Sequence, residues 1–208
     1  TLNITSGAIL NQSSSTTTIS NNVNFGSAEG HVFTTAGTTI SGALTGSNGL
    51  TKSGTSTLTL TGNNTGLTGQ LTLNGGTLIF SSPTALPGTG QIVSSGMGAS
   101  STIFRYSGNA PINVARNILI NDGWLTLDSS VTSAAPLTLS GIISGSGGLF
   151  VGSASTISIV ELTGNNTYTG PTRVNEGILS ITSDASLGSG GALDLFTVGS
   201  TMGSGGEG

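Results

Sequence analysis

Residues 41–80 read SGALTGSNGLTKSGTSTLTLTGNNTGLTGQLTLNGGTLIF. The same order of residues returns at 140–181 as SGIISGSGGLFVGSASTISIVELTGNNTYTGPTRVNEGILSI. Ser41-Gly42 matches Ser140-Gly141, and Gly49-Leu50 matches Gly148-Leu149. The pentad Thr61-Gly62-Asn63-Asn64-Thr65 recurs letter for letter as Thr163-Gly164-Asn165-Asn166-Thr167. Asn74-x-Gly76 recurs as Asn175-x-Gly177. A repeat of this length, carrying several short segments per copy, points to an array or solenoid.

The repeat also sets side-chain direction. Leu71 and Leu73 correspond to Thr172 and Val174; Leu78 and Phe80 correspond to Leu179 and Ile181. Members of each pair stand two apart, so they share one face of a strand. Leu71, Leu73, Leu78, Phe80, Val174, Leu179 and Ile181 are therefore the expected core. The intervening Thr72, Ile79, Arg173 and Ser180 vary in polarity and point outward. Gly76, Gly177, Asn63, Asn64, Asn165 and Asn166 are expected in turns, because Gly and Asn accept unusual backbone angles at low cost. The two Asn-Asn pairs are expected to form side-chain ladders from coil to coil. No stretch shows helical periodicity.

Working outward, strand-like pairs continue through the chain: Leu2-x-Ile4, Val23-x-Phe25, Ile112-x-Val114, Ile118-x-Ile120, Leu125-x-Leu127, Leu137-x-Leu139 and Leu193-x-Leu195. Two-residue Asn-Gly or Asp-Gly hairpin loops flanked by alternation on both sides are missing. The pattern predicts an all-β chain folded as a parallel β-helix. At roughly 20 residues per coil it makes about ten coils. Coils stack about 4.8 Å apart, giving a rod of roughly 50 Å. Residues 1–198 form one solenoid with repeat blocks at 41–90 and 140–191, and 199–208 form a flexible Gly/Ser-rich tail. No amphipathic helix is evident as a cap at either end, so the rod is expected to be a slice of a longer one or a subunit that stacks end to end.

Composition narrows the function. Of 208 residues, 35 are Gly, only 6% are charged and 34% are hydrophobic. The regular apolar pairs and modest net charge of −4 argue against disorder. Lys52, Arg105, Arg116 and Arg173 are the only Lys or Arg residues, too few and too scattered for nucleic-acid binding. No apolar run approaches the about 20 residues of a spanning helix, so no membrane insertion by this segment is expected. The lack of Cys suits a chain that stays unfolded while it is exported.

The blocks resemble the autotransporter-associated β-strand repeat, also called the passenger-associated transport repeat. The resemblance rests on Leu139-Ser140-Gly141-Ile142-Ile143-Ser144-Gly145-Ser146-Gly147-Gly148-Leu149, on Leu162-Thr163-Gly164-Asn165-Asn166-Thr167-Tyr168-Thr169-Gly170, and on Thr172-x-Val174-Asn175-x-Gly177-x-Leu179. The first block keeps this order, with Lys52-Ser53-Gly54-Thr55-Ser56-Thr57-Leu58-Thr59-Leu60 as its middle strand. It departs at Gly66-Leu67, where the second copy has Tyr168. The second copy departs at 150–161, which lack the Lys-x-Gly start. The resemblance implies a right-handed parallel β-helix, extracellular or on the surface of a Gram-negative-type bacterium. It implies a structural or adhesive stalk with no catalytic residues, no cofactor and no metal. Self-association, end to end or lateral, into rods or filaments is expected from low charge and open ends, with host or environmental glycans as possible ligands.

Two rival readings make their own demands. A pectate-lyase-like β-helix enzyme requires Asp122, Asp128, Arg105 and Arg116 to gather on one face, with Ca²⁺ held by carboxylates. His31, the single His, has no triad pattern around it. An ice-binding solenoid requires a flat threonine face around Thr57-x-Thr59-x-Thr61, and the second copy offers Ser158, Val160 and Glu161 there instead, which breaks the array. Trp124, Tyr106 and Tyr168 are expected in core or turn packing rather than as sugar platforms.

Overall fold

Among the described residues every strand pairing is parallel, and each strand pairs with one about a coil away rather than with its sequence neighbour. The computed structural model describes residues 1–96, 102–129, 136–152, 158–190 and 192–195. These form a β-solenoid with three faces. One is a seven-stranded sheet running from Ala8–Asn11 to Ile143–Gly145. The second is a nine-stranded sheet from Thr17–Ile19 to Leu193–Leu195. The third face begins with three strands, Leu2–Asn3, Val23–Asn24 and Leu44–Thr45, and ends with four, from Ile112–Val114 to Gly177–Ile181. Between them lie the bridge from Gly46 to Leu67 and the 3-10 turn Pro83–Ala85.

The core is a set of apolar columns running along the axis. Leu50, Leu71, Ile92, Ile118 and Ile143 stack in register on the seven-stranded sheet, and all are buried. Leu58, Leu78, Phe104, Leu127 and Val151 do the same on the nine-stranded sheet. Burial of each such side chain stabilises by about 1.5–3 kcal/mol. Phe80 meets Phe104 at 4.7 Å and Tyr106 at 5.6 Å between ring centres. The Tyr106 hydroxyl donates to Ala110 O at 2.6 Å, so its polar end is satisfied.

The nine strands of one face are separated by about eight turns, fewer than the ten expected. The reason is coil length. Thr18, Thr39, Thr59 and Ile79 follow one another at 21, 20 and 20 residues. Later turns are longer: Leu78, Phe104, Leu127 and Val151 follow at 26, 23 and 24. Eight turns at about 4.8 Å give a rod of about 40 Å.

Leu71, Leu73, Leu78 and Phe80 are buried, whereas Val174 and Leu179 are half-buried. Ile181, assigned to the core by its alternation, is instead 37% exposed. It lies in the last strand of its sheet, so no described coil covers it. Ile178, Leu193 and Leu195 are exposed at the same end, and Leu2 and Leu10 at the other. The tail assigned to 199–208 lies outside the described residues.

Candidate functional site

Alternation places Asn64 inside the stack, where it must find partners or forfeit the cost of burial. It finds three. Its Oδ1 accepts from Leu44 N–H at 2.8 Å, its Nδ2 donates to Ala85 O at 2.7 Å, and its own N–H donates to Thr84 O at 2.7 Å. One side chain therefore joins three successive coils. Asn166 repeats the pattern: Oδ1 accepts from Ile143 N–H at 2.8 Å, Nδ2 donates to Ser186 O at 2.6 Å, and N–H donates to Ala185 O at 2.8 Å.

The two asparagines of each pair have different environments. Asn63 is exposed, and its Oδ1 accepts from Thr65 N–H at 3.2 Å and Thr65 Oγ1 at 2.8 Å. Asn165 is also exposed. The expected amide-on-amide ladders do not form: Asn64 and Asn166 bond to main chain above and below, because the coils they bridge carry no Asn at the facing positions.

Gly76 closes the turn before the strand Thr77–Phe80 with φ of +65°, and Gly177 opens the strand Gly177–Ile181 with φ of +118°. A Cβ on Gly76 would stand 2.4 Å from Ser56 O, and one on Gly177 2.2 Å from Ser158 O. Both the backbone angle and the space demand glycine.

A family signature matches two stretches of the chain. The Passenger-associated-transport-repeat covers residues 50–80 and 159–181, the segments that carry or adjoin the asparagine bridges. The adhesin BmaC autotransporter of Brucella suis biovar 1 (strain 1330) is 32% identical over 192 residues, which are 91% of this chain. The chain carries two passenger-associated-transport repeats. The chain spans about 5% of the length of that relative. No solved structure matches it.

The two passenger repeats point in different directions. Leu50–Ser53 lies in the seven-stranded sheet, but its equivalent Gly148–Val151 lies in the nine-stranded sheet. Thr57–Leu60 and Thr77–Phe80 lie in the nine-stranded sheet, and their equivalents Ser158–Leu162 and Gly177–Ile181 lie in the four-stranded one. Four turns from Leu50, through Leu71, Ile92 and Ile118, arrive at Ile143. Leu149, the residue equivalent to Leu50, lies six residues further and falls on the next face. The second repeat is thus turned by one face about the axis.

The missing aromatic of the first repeat is also explained. Thr68 N–H donates to Gly46 O, and Thr169 N–H to Gly145 O. This aligns Leu67 with Tyr168, both fully buried, and makes Gly66 the extra residue. The Tyr168 hydroxyl sits 2.6 Å from Thr172 Oγ1, and burial pushes its pKa up.

Sequence reasoning missed Lys52. It follows Leu50 by two and so points inward, and it is fully buried. Its Nζ donates to the carbonyls of Gly75 at 2.9 Å, Gly54 at 3.1 Å and Ser53 at 3.2 Å, with Thr34 Oγ1 at 3.4 Å. Burial lowers its pKa to about 8. It pins the turn before Thr57–Leu60 to that before Thr77–Phe80. The second repeat has Val151 at this position.

Of the four residues required by a lyase reading, Arg105 and Asp128 meet, while Arg116 and Asp122 lie elsewhere. Arg105 Nε donates to the fully buried Asp128 at 2.7 Å, and Asp128 also accepts from the Ser158 hydroxyl. Arg116 is spent on main chain, donating to Gly90 O at 2.6 Å and Pro87 O at 2.7 Å. Asp122 is exposed at the end of Ile118–Asp122 in the seven-stranded sheet. His31 is exposed, 3.5 Å from Glu29. Among the described residues no group of three or more His, Cys, Asp or Glu is placed to hold a metal. No described helix is long and apolar enough to cross a membrane. Trp124 lies on the outer surface with Arg173 4.6 Å over its ring and Phe150 edge-on at 6.2 Å, not in the core or a turn.

Proposed function

We propose that this segment is a non-catalytic stalk and adhesive scaffold, carried outside a bacterium or on its surface within a longer autotransporter passenger. The observation that supports this most directly is the pair of asparagine bridges inside a continuous parallel stack. The repeated residues are consumed in joining coil to coil, so the family motif builds length rather than a pocket. Likeness to a protein named as an adhesin autotransporter supports the adhesive role. The absence of Cys from the sequence suits passage across an envelope unfolded.

Exposed leucines and isoleucines at both ends of the stack support association with further coils, whether from a longer chain or from a second copy. Environmental or host glycans are the proposed ligands of the lateral faces. Negative-stain electron microscopy across a concentration series, paired with retention on immobilised glycans, tests the proposal. Rods that lengthen with concentration and glycan retention support it. Particles of one length at every concentration, with no retention, overturn self-association and adhesion. Ca²⁺-dependent cleavage of an acidic polysaccharide overturns the non-catalytic reading.

A further inference from the structure

The outward side chains of the nine-stranded sheet form columns along the axis. In the first four turns Thr18, Thr39 and Thr59 make one column, which Ile79 ends. Two residues earlier in the chain the column runs Thr16, Gly37, Thr57, Thr77, with Thr16 and Gly37 just ahead of their strands. Two residues after them, positions 20, 41, 61 and 81 are all Ser or Thr. None of these residues is buried, and none is charged or aromatic. No hydrogen bond to protein is found for their hydroxyls among the described residues, whereas hydroxyls elsewhere, such as Thr45 and Thr51, are bonded.

The array is regular in two directions. Along the axis the spacing is that of stacked strands, about 4.8 Å, and across it that of alternate residues, about 6.7 Å. The turns here are the short, equal ones, and the register is unbroken, so the face is not bent by insertions. Higher up the same face the pattern ends in Arg105, Asp128, Phe150 and Arg173.

The second repeat does not interrupt this array, because its equivalent strands lie on another face. Thr59 has Thr39 below it and Ile79 above, and Thr57 has Gly37 below it and Thr77 above, so each has a threonine on one side.

We infer that this face binds ice. It has no cation for an anionic ligand and no ring on which a sugar could stack. A second copy laid against it would bury many hydroxyls, each costing about 1–3 kcal/mol if left unbonded. A crystal face of water keeps them all bonded, and it is itself a two-dimensional periodic lattice of donors and acceptors. The threonine methyl groups hold the intervening water in cages while the hydroxyls bond it. This inference stands apart from the stalk reading and survives if that reading fails.

The test is the gap between melting and freezing points of ice in solutions of the 208-residue chain, with inspection of crystal shape. The chain is expected to open a gap that grows with concentration and to facet the crystals. Thr59→Tyr is expected to close the gap, while Thr72→Tyr, on the outward side of the seven-stranded sheet, leaves it unchanged. Circular dichroism checks that each variant folds, and Thr39→Tyr replaces Thr59→Tyr if the latter does not. Rounded crystals without a gap at any concentration overturn the inference, as does faceting that persists in Thr59→Tyr. A dimer that Thr59→Tyr dissociates also overturns it, because the face then belongs to a second copy.

Discussion

Asn64 and Asn166 make the same three hydrogen bonds on different faces of one rod. Each accepts from the coil below and donates to the coil above. The bridge is therefore a property of the local motif and travels with it, whatever direction the face looks. A flat partner touching one repeat's turn cannot touch the other's in the same way, which is why the motif is read as internal architecture.

Replacing either residue tests this. Asn64→Ala leaves the Leu44 N–H and the Ala85 carbonyl unpaired in a buried place, at about 1–3 kcal/mol for each group. Asn64→Ala and Asn166→Ala are each expected to destabilise by about 2–4 kcal/mol, and Asn63→Ala, on the exposed neighbour, by under about 1 kcal/mol. Urea unfolding followed by circular dichroism distinguishes these. Equal effects at positions 63 and 64 would refute the bridging role.

Glycine at position 76 is constrained by both angle and space, and at position 26 by angle alone. Gly26 has φ +62°, but a Cβ there would meet nothing within 4 Å. Gly26→Ala is expected to cost about 1–2 kcal/mol, the left-handed penalty alone. Gly76→Ala adds a 2.4 Å clash with Ser56 O and is expected to cost clearly more. The ordering of melting midpoints is the check.

Lys52 gives an unusual pH dependence. Its folded pKa of about 8 lies below the ordinary 10.5 because burial disfavours the charge. Between these values the unfolded chain binds more protons than the folded one, so stability rises with pH across that window. The full gain is about 3 kcal/mol at 1.36 kcal/mol per pH unit. Below pH 8 both states hold the proton and the term is flat, with the buried charge at its full cost. Comparing wild type with Lys52→Met at pH 7, 8, 9 and 10 isolates the slope from Arg116 and Tyr168, which lie in both proteins. Parallel curves would sink the prediction.

Asp128 ties Arg105 to Ser158 from a fully buried position. Removing one partner of a buried pair costs about 3–5 kcal/mol, less where one partner touches water. Arg105 is 23% exposed, so Asp128→Asn is expected to cost about 2–4 kcal/mol. Arg105→Met with Asp128→Leu together are expected to recover part of the loss. Unfolding midpoints of the single and double variants decide it.

Which side chains face in and which face out is legible from residue spacing alone. Leu71, Leu73, Leu78 and Phe80 were readable from spacing two apart, since alternation is a property of an extended backbone and needs no partner. Gly76 and Gly177 were readable as turns for the same local reason. Even Lys52 obeyed the alternation, although a charge on the inner face is not what composition suggests.

Which residue sits above which is set by the folded stack and is not legible from spacing. Strand partners lie 19–27 residues apart, and insertions between strands change that number from turn to turn. Longer turns lowered the coil count, and they carried the second repeat onto a neighbouring face. Whether a threonine column continues, whether Arg105 meets Asp128, and whether Ile181 is covered all depend on accumulated turn length. No window of sequence shorter than several coils contains that sum.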